Sequence, residues 1–172
     1  MLPGPVPMTA GAHLDKEGIV MTDFTLSPMI LAGFLAHAGA KGLASLPQVA
    51  NIKKTLIIMI KVRDGLEGRI NADGSFSKPI DPETRKKLDN GAALAEEILV
   101  KAGVPRNKIF RTTTIAAHPG GTVRIGDVLD NDCRTPITNC YCMDTTVIPE
   151  PWGLPPSVTV VAMAKRLAKK LA

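Results

Sequence analysis

One stretch restricts the possible folds of this chain more than any other. Residues 81–103 read DPETRKKLDNGAALAEEILVKAG, a helix with both ends marked. Asp81 can cap its start. Pro82 suits the first helical position, where a missing N–H leaves no bond unmade, and Gly103 stops it. Leu88, Ala92, Ala95, Leu99 and Ala102 recur at helical spacing, so one face is apolar and has to be covered. That stripe is core-forming, not a cofactor box. Gly91 weakens the middle of the helix by about 1 kcal/mol relative to alanine.

The neighbouring segments supply the cover. Residues 54–64, KTLIIMIKVRD, are rich in β-branched side chains and read as a strand. A short strand is expected in EGIVMTDF. GLEG at 65–68 is a turn, and RINADG and FSKPI continue as short strands. Short strands in hairpin order describe an antiparallel sheet and not a βαβ repeat. The expected class is therefore α+β, an antiparallel sheet packed by helices on one side. Four more elements complete the reading. Ser27-Pro28 opens a helix of small and apolar residues to about Ala38. KIFRTTTIAA (108–117) and NCYCMDTTVI (139–148) read as strands. A last helix begins near Ser157, its first half apolar nearly all round and expected to be buried, its last turn basic and exposed. The expected division is 1–117 and 118–172.

Composition narrows the function. The chain has 172 residues, 45% hydrophobic and 22% charged, values of a globular protein with a real core. Aromatics are only 3%. A nucleic-acid binder that stacks bases on rings needs more. The net charge of +5 is modest, and Lys165, Arg166, Lys169 and Lys170 hold part of it. They read as a solvated last turn complementing the helix dipole. Cysteines at 133, 140 and 142 are odd in number and lack CxxC or HxxxH companions, so neither a disulfide framework nor a metal site is expected. Cys140 and Cys142 would lie on one strand face as small buried hydrophobes. The first residues lack the charged and apolar segments of a signal peptide, and the apolar stretch 28–46 carries His37 and Lys41. A cytoplasmic chain without a membrane span is expected.

The chemistry gathers around His118. The stretch AAHPGGTVRIGD puts a lone histidine before a proline and two glycines. Alone, this is a glycine turn. Downstream, in order, come YCMDTTVIP (141–149), then GLPPSVTV and AMAKRLAKKL. This order and spacing resemble the C-terminal signature of the glucose–methanol–choline (GMC) flavin oxidoreductases: HxxGTxxMG, a strand ending V-x-D-[AG]-S-x-x-P, then [NH]PTxT and a helix rich in A-x-A-x-R. About 55 residues carry the strong part of the resemblance. The preceding sheet and helix are similar to the family's substrate domain.

The resemblance implies roles. His118 is the base that holds or removes the hydroxyl proton while a hydride leaves the substrate carbon for the flavin. An unperturbed histidine titrates near pH 6.5, close to working pH. His13 and His37 lack this context. Asp144 and Thr145 would lie against the cofactor. Pro156, Ser157 and Val158, at the start of the last helix, would face the flavin pyrimidine with free N–H groups and the positive end of the dipole. Thr145 and Thr146 stand where the family has Ala or Gly and then Ser. Pro155 takes the substrate-contacting place of an Asn or His, and offers no side-chain donor or acceptor.

The implied cofactor is FAD, yet these residues contain no GxGxxG to hold its ADP half. The expectation is the C-terminal part of an FAD-dependent oxidoreductase acting on a CH–OH group in a small alcohol, sugar or polyol. It would be completed by a separate FAD-binding domain or subunit and be inactive alone. Residues 139–172 would supply a strand and helix to that domain, and without it could drive self-association. A non-catalytic binding or assembly module on the same fold is the alternative reading. A small basic nucleic-acid binder is a third, and the aromatic scarcity opposes it.

Overall fold

The computed structural model describes residues 10–172. The class is α+β, with small antiparallel sheets and helices. Two compact units divide the chain. One holds the residues up to Val62 together with Pro82–Ile115, the other Arg63–Asp81 and Ala116–Ala172.

The first unit is built on a three-stranded sheet, β1 (Gly11–Leu14), β2 (Ile19–Phe24) and β3 (Ile57–Val62), in the order β1-β2-β3. β2 is central and antiparallel to both neighbours, with Met21 opposite Ala12 and Ile60. Between β2 and β3 lie α1 (Pro28–Ala36), α2 (Gly39–Ala44) and a 3-10 segment. Ser27 caps α1, its hydroxyl accepting from the Ile30 N–H at 3.3 Å, as the Ser-Pro signal predicts. α1 buries Leu31 and Leu35. Among the described residues no helix is long and apolar enough to cross a membrane.

α3 (Pro82–Lys101) starts at the predicted proline. It ends through left-handed Gly103, with the Val104 N–H returning to the Leu99 carbonyl at 3.0 Å, a Schellman closure. The helix packs on β2 and β3. Ile19, Met21 and Ala95 form the buried core, with Leu14, Ile58, Ile60 and Val62 around it. Gly91 belongs to this contact rather than weakening it. It is buried, and a Cβ there would lie 2.7 Å from Ile60 Cγ2 and 3.3 Å from Ile19 Cγ2. Glycine lets the helix backbone approach the sheet. The stripe ends one turn early, since Ala102 is exposed.

The second unit carries the hairpin β4 (Arg69–Ile70) and β5 (Phe76–Ser77), the loops 116–156, and α4 (Ser157–Leu171). Three expectations are corrected here and at the end of the first unit. Residues 108–117 form no strand, because among the described residues no strand pairs with them, and β-branched composition alone does not make a ladder. Residues 139–148 are not a strand either. Left-handed Asn139 turns the chain, one isolated bridge joins Arg134 to Tyr141, and a 3-10 turn follows at Thr145–Val147. The start of α4 is not buried among the described residues. Val158 is 82% exposed and Val161 56%.

Candidate functional site

His118 opens the site in an unusual conformation. Its φ is +58°, the left-handed region that costs a residue with a Cβ about 1–2 kcal/mol. The side chain is exposed and makes no hydrogen bond among the described residues. What fixes it is the backbone that follows.

That backbone meets the Asp144 segment at four points, Pro119, Gly120, Val123 and Ile125. Thr145 Oγ1 donates to the Pro119 carbonyl at 2.5 Å. Gly120 packs so tightly that a Cβ would fall 2.6 Å from the Thr145 carbonyl oxygen and 2.1 Å from Trp152 Cη2. The Val123 N–H donates to the Thr146 carbonyl at 3.2 Å, and the Ile125 N–H to the Val147 carbonyl at 3.0 Å. Gly121 has a φ of +75° and turns the chain over Leu66. The two glycines therefore serve different needs, close approach at Gly120 and handedness at Gly121.

Asp144 organises the other side. Its Oδ1 accepts from the Thr146 N–H at 2.7 Å and from the Thr146 hydroxyl at 2.6 Å, capping the 3-10 turn. The turn drives Val147 into the interior, where it is fully buried. Asp144 itself remains exposed. Cys142 Sγ lies 3.6 Å from the Thr146 hydroxyl.

The start of α4 is a separate patch. Pro156 is buried at the N-cap, the helix has no side-chain cap, and no acidic residue lies in its first turn. Its first amides therefore point outward without a side-chain acceptor. Pro155, Ser157 and Val158 are exposed. Among the described residues no hydrogen bond joins 155–158 to the loop 118–126; Trp152, three residues before Pro155, lies against Gly120 of that loop.

Sequence reasoning missed Trp152, Leu66 and the turn that anchors α4. The single tryptophan, set between Pro151 and Gly153, was a usable signal. In the turn, Asp130 Oδ1 accepts from the Asp132 N–H at 2.8 Å and the Arg134 N–H at 2.9 Å. The bond from the Arg134 amide chiefly holds the Asp130 carboxyl below its ordinary value. Asp132 then pairs with Arg166 at 3.5 Å and with Lys170. Two of the four basic residues of α4 are thus engaged rather than merely solvated. No cluster of three His, Cys, Asp or Glu suited to a metal occurs among the described residues.

Residues 71–164 match the family model of the GMC oxidoreductase C-terminal region. The chain belongs to the GMC oxidoreductase family. It is a C-terminal portion of such an enzyme, and the matched interval contains His118, Asp144, Thr145 and residues 155–158. This GMC portion is also 31% identical over 115 residues to the uncharacterized protein MJ1450 of Methanocaldococcus jannaschii. The similarity covers 66% of this chain and 29% of that protein, so the chain spans under a third of the relative's length. No solved structure matches.

Proposed function

We propose that this GMC portion forms the substrate-side and cofactor-closing part of an FAD-dependent oxidoreductase that oxidises a CH–OH group to a carbonyl. The observation that carries the reading is the fastening of the His118 loop to the Asp144 turn within the family match. It presents an exposed imidazole next to a backbone held by three hydrogen bonds to residues 145–147.

Bound FAD supplies the hydride acceptor. The donor set of the chain fits an electron-rich ring edge. The outward amides of Ser157 and Val158, beside buried Pro156, meet no side-chain cap and no carboxylate. Asp144 and Thr145 would border the cofactor from the second side. His118 accepts the substrate hydroxyl proton as the C–H bond breaks. Pro155 contributes shape only, so either another residue holds the substrate oxygen or His118 does so alone. The ADP half of the cofactor requires a glycine-rich strand–turn–helix from a separate FAD-binding domain or subunit.

Reconstitution with an FAD-binding partner, followed by a scan of small alcohols, sugars and polyols, tests the reading. His118→Ala should lower turnover by orders of magnitude while cofactor remains bound. Unchanged turnover removes His118 from the chemistry and favours a non-catalytic module. The isolated chain should be colourless and inactive, and a flavin spectrum copurifying with it would contradict the division of labour.

A further inference from the structure

Cys133 and Cys142 face one another across the antiparallel bridge that joins Arg134 to Tyr141. The Cys142 N–H donates to the Cys133 carbonyl at 3.0 Å, and the Thr135 N–H donates to the Cys140 carbonyl at 2.9 Å. This register makes 133 and 142 a directly opposed pair. The two share one ladder bond, since the Cys133 N–H turns to the Asp130 carbonyl. Directly opposed antiparallel residues have Cα atoms about 4.5–5.5 Å apart, inside the range of about 4.4–6.8 Å that a disulfide spans. Cys140 opposes Thr135 instead and has no cysteine across from it.

Cys133 also occupies a position that does not suit it. Its φ is +61°, at the point of the 130–134 turn where glycine or asparagine is the easy choice. The residue is nevertheless a cysteine, and it is only 4% exposed. Its Sγ rests 3.8 Å from Met143 Sδ. Cys142 is half-buried, its Sγ 3.6 Å from the Thr146 hydroxyl. Neither thiol has a strong partner to lose by rotating toward the other. All three cysteines are free thiols in this structure.

We propose that Cys133 and Cys142 are a reversible dithiol–disulfide pair, oxidised by a peroxide and restored by a small thiol. Peroxide oxidises the more accessible Cys142 sulfur to a sulfenic acid, releasing one water. The Cys133 sulfur then attacks that sulfur, the S–O bond breaks, and a second water leaves with the Cys133 proton. Two equivalents of a small thiol return both sulfurs to thiols and leave as their own disulfide. Burial pushes the Cys133 thiol up from its ordinary range, so the first attack on peroxide falls to the more accessible Cys142. The bridge would tie the α4-anchoring turn to the residue two positions before Asp144. That last consequence alone rests on the proposed function.

Tryptic mapping without reduction separates the outcomes. Cleavage after Arg124, Arg134 and Lys165 puts Cys133 in the peptide 125–134 and both other cysteines in the peptide 135–165. The native full chain is treated with hydrogen peroxide, alkylated and digested. Free thiols should fall from three to one, with 125–134 linked to 135–165 and the link lost on adding dithiothreitol. Cys140→Ser should keep the link, and Cys142→Ser should abolish it while far-ultraviolet circular dichroism stays native. Three surviving thiols, a link that persists in Cys142→Ser, a bridge within 135–165, or a bridge between chains overturns the proposal. None of these readouts uses turnover, so the proposed oxidoreductase function can fail without affecting them.

Discussion

Gly120 lies against the ring of Trp152, leaving room for a hydrogen and not for a methyl group. The contact joins the loop after His118 to the proline-rich segment before α4. Its first consequence is that Gly120→Ala cannot be silent. The added carbon must displace a ring or a backbone carbonyl, a change that costs about 1–3 kcal/mol. Trp152 is the only tryptophan, so its emission reports the contact. The variant should show a red-shifted, quencher-accessible spectrum and an earlier urea midpoint. A spectrum and midpoint equal to wild type would refute the packing.

His118 separates stability from chemistry. At a φ of +58° glycine removes a penalty that alanine retains. His118→Gly should therefore be more stable than His118→Ala by about 1 kcal/mol, and both should be inactive in a reconstituted enzyme. Paired denaturation curves check the stability order. Equal or inverted midpoints would argue against a left-handed residue at this position.

Gly91 sets two effects against each other. Alanine gains about 1 kcal/mol of helix propensity. It also places a carbon 2.7 Å from Ile60 Cγ2, on a β-branched side chain with little freedom to yield. Overpacking of about 1–3 kcal/mol should win, and Gly91→Ala should melt at a lower temperature than wild type. Calorimetry decides the sign.

These positions show where sequence reasoning reached and where it stopped. α3, α4, the Ser27 cap and the strands β2 to β5 were legible, because caps, periodicity and β-branched runs are local signals. β1 was not, since GAHL has no alternation of its own and is a strand only through pairing with β2. Residues 108–117 show the converse, a strand composition without a partner. The candidate residues His118 and Asp144 rest on the family resemblance, and the structure adds that their two segments are joined. Trp152 against Gly120 could not, because that contact joins residues more than thirty apart through shape alone.

Two turns carry a pH dependence of known sign. Asp73 is held below the ordinary aspartate value of 3.8 first by the Ser75 hydroxyl and then by its amide, and Asp130 chiefly by the Arg134 amide. A carboxyl depressed in the folded state stabilises it fully above the unfolded value. That contribution fades as pH falls through the lower folded value. Unfolding midpoints should be flat from neutral pH toward 5 and decline below about 4. Asp130→Asn should flatten part of the decline. An unchanged acid limb in that variant would contradict the assignment.

The exposed start of α4 predicts self-association of the isolated chain. Val158 and Val161 lie three apart on the helix and are 82% and 56% exposed, neighbours on one face. Replacing both with aspartate should shift sedimentation toward the monomer at fixed concentration. The change in chain stability should stay within about 0.5 kcal/mol, as for surface sites. An unaltered association constant would place the contact elsewhere.

The same face bears on how the protein diverges. Val158 and Val161 contribute little to the folding of the residues around them, so drift there is not restrained by the stability of this chain. Any restraint has to come from a surface that complements them. Substitutions at Val158 and Val161 should therefore vary independently of the core of this chain, unlike Arg166 and Lys170, which are tied to Asp132. The Gly91 contact, sealed between α3 and the sheet, should track only its own neighbours Ile19 and Ile60.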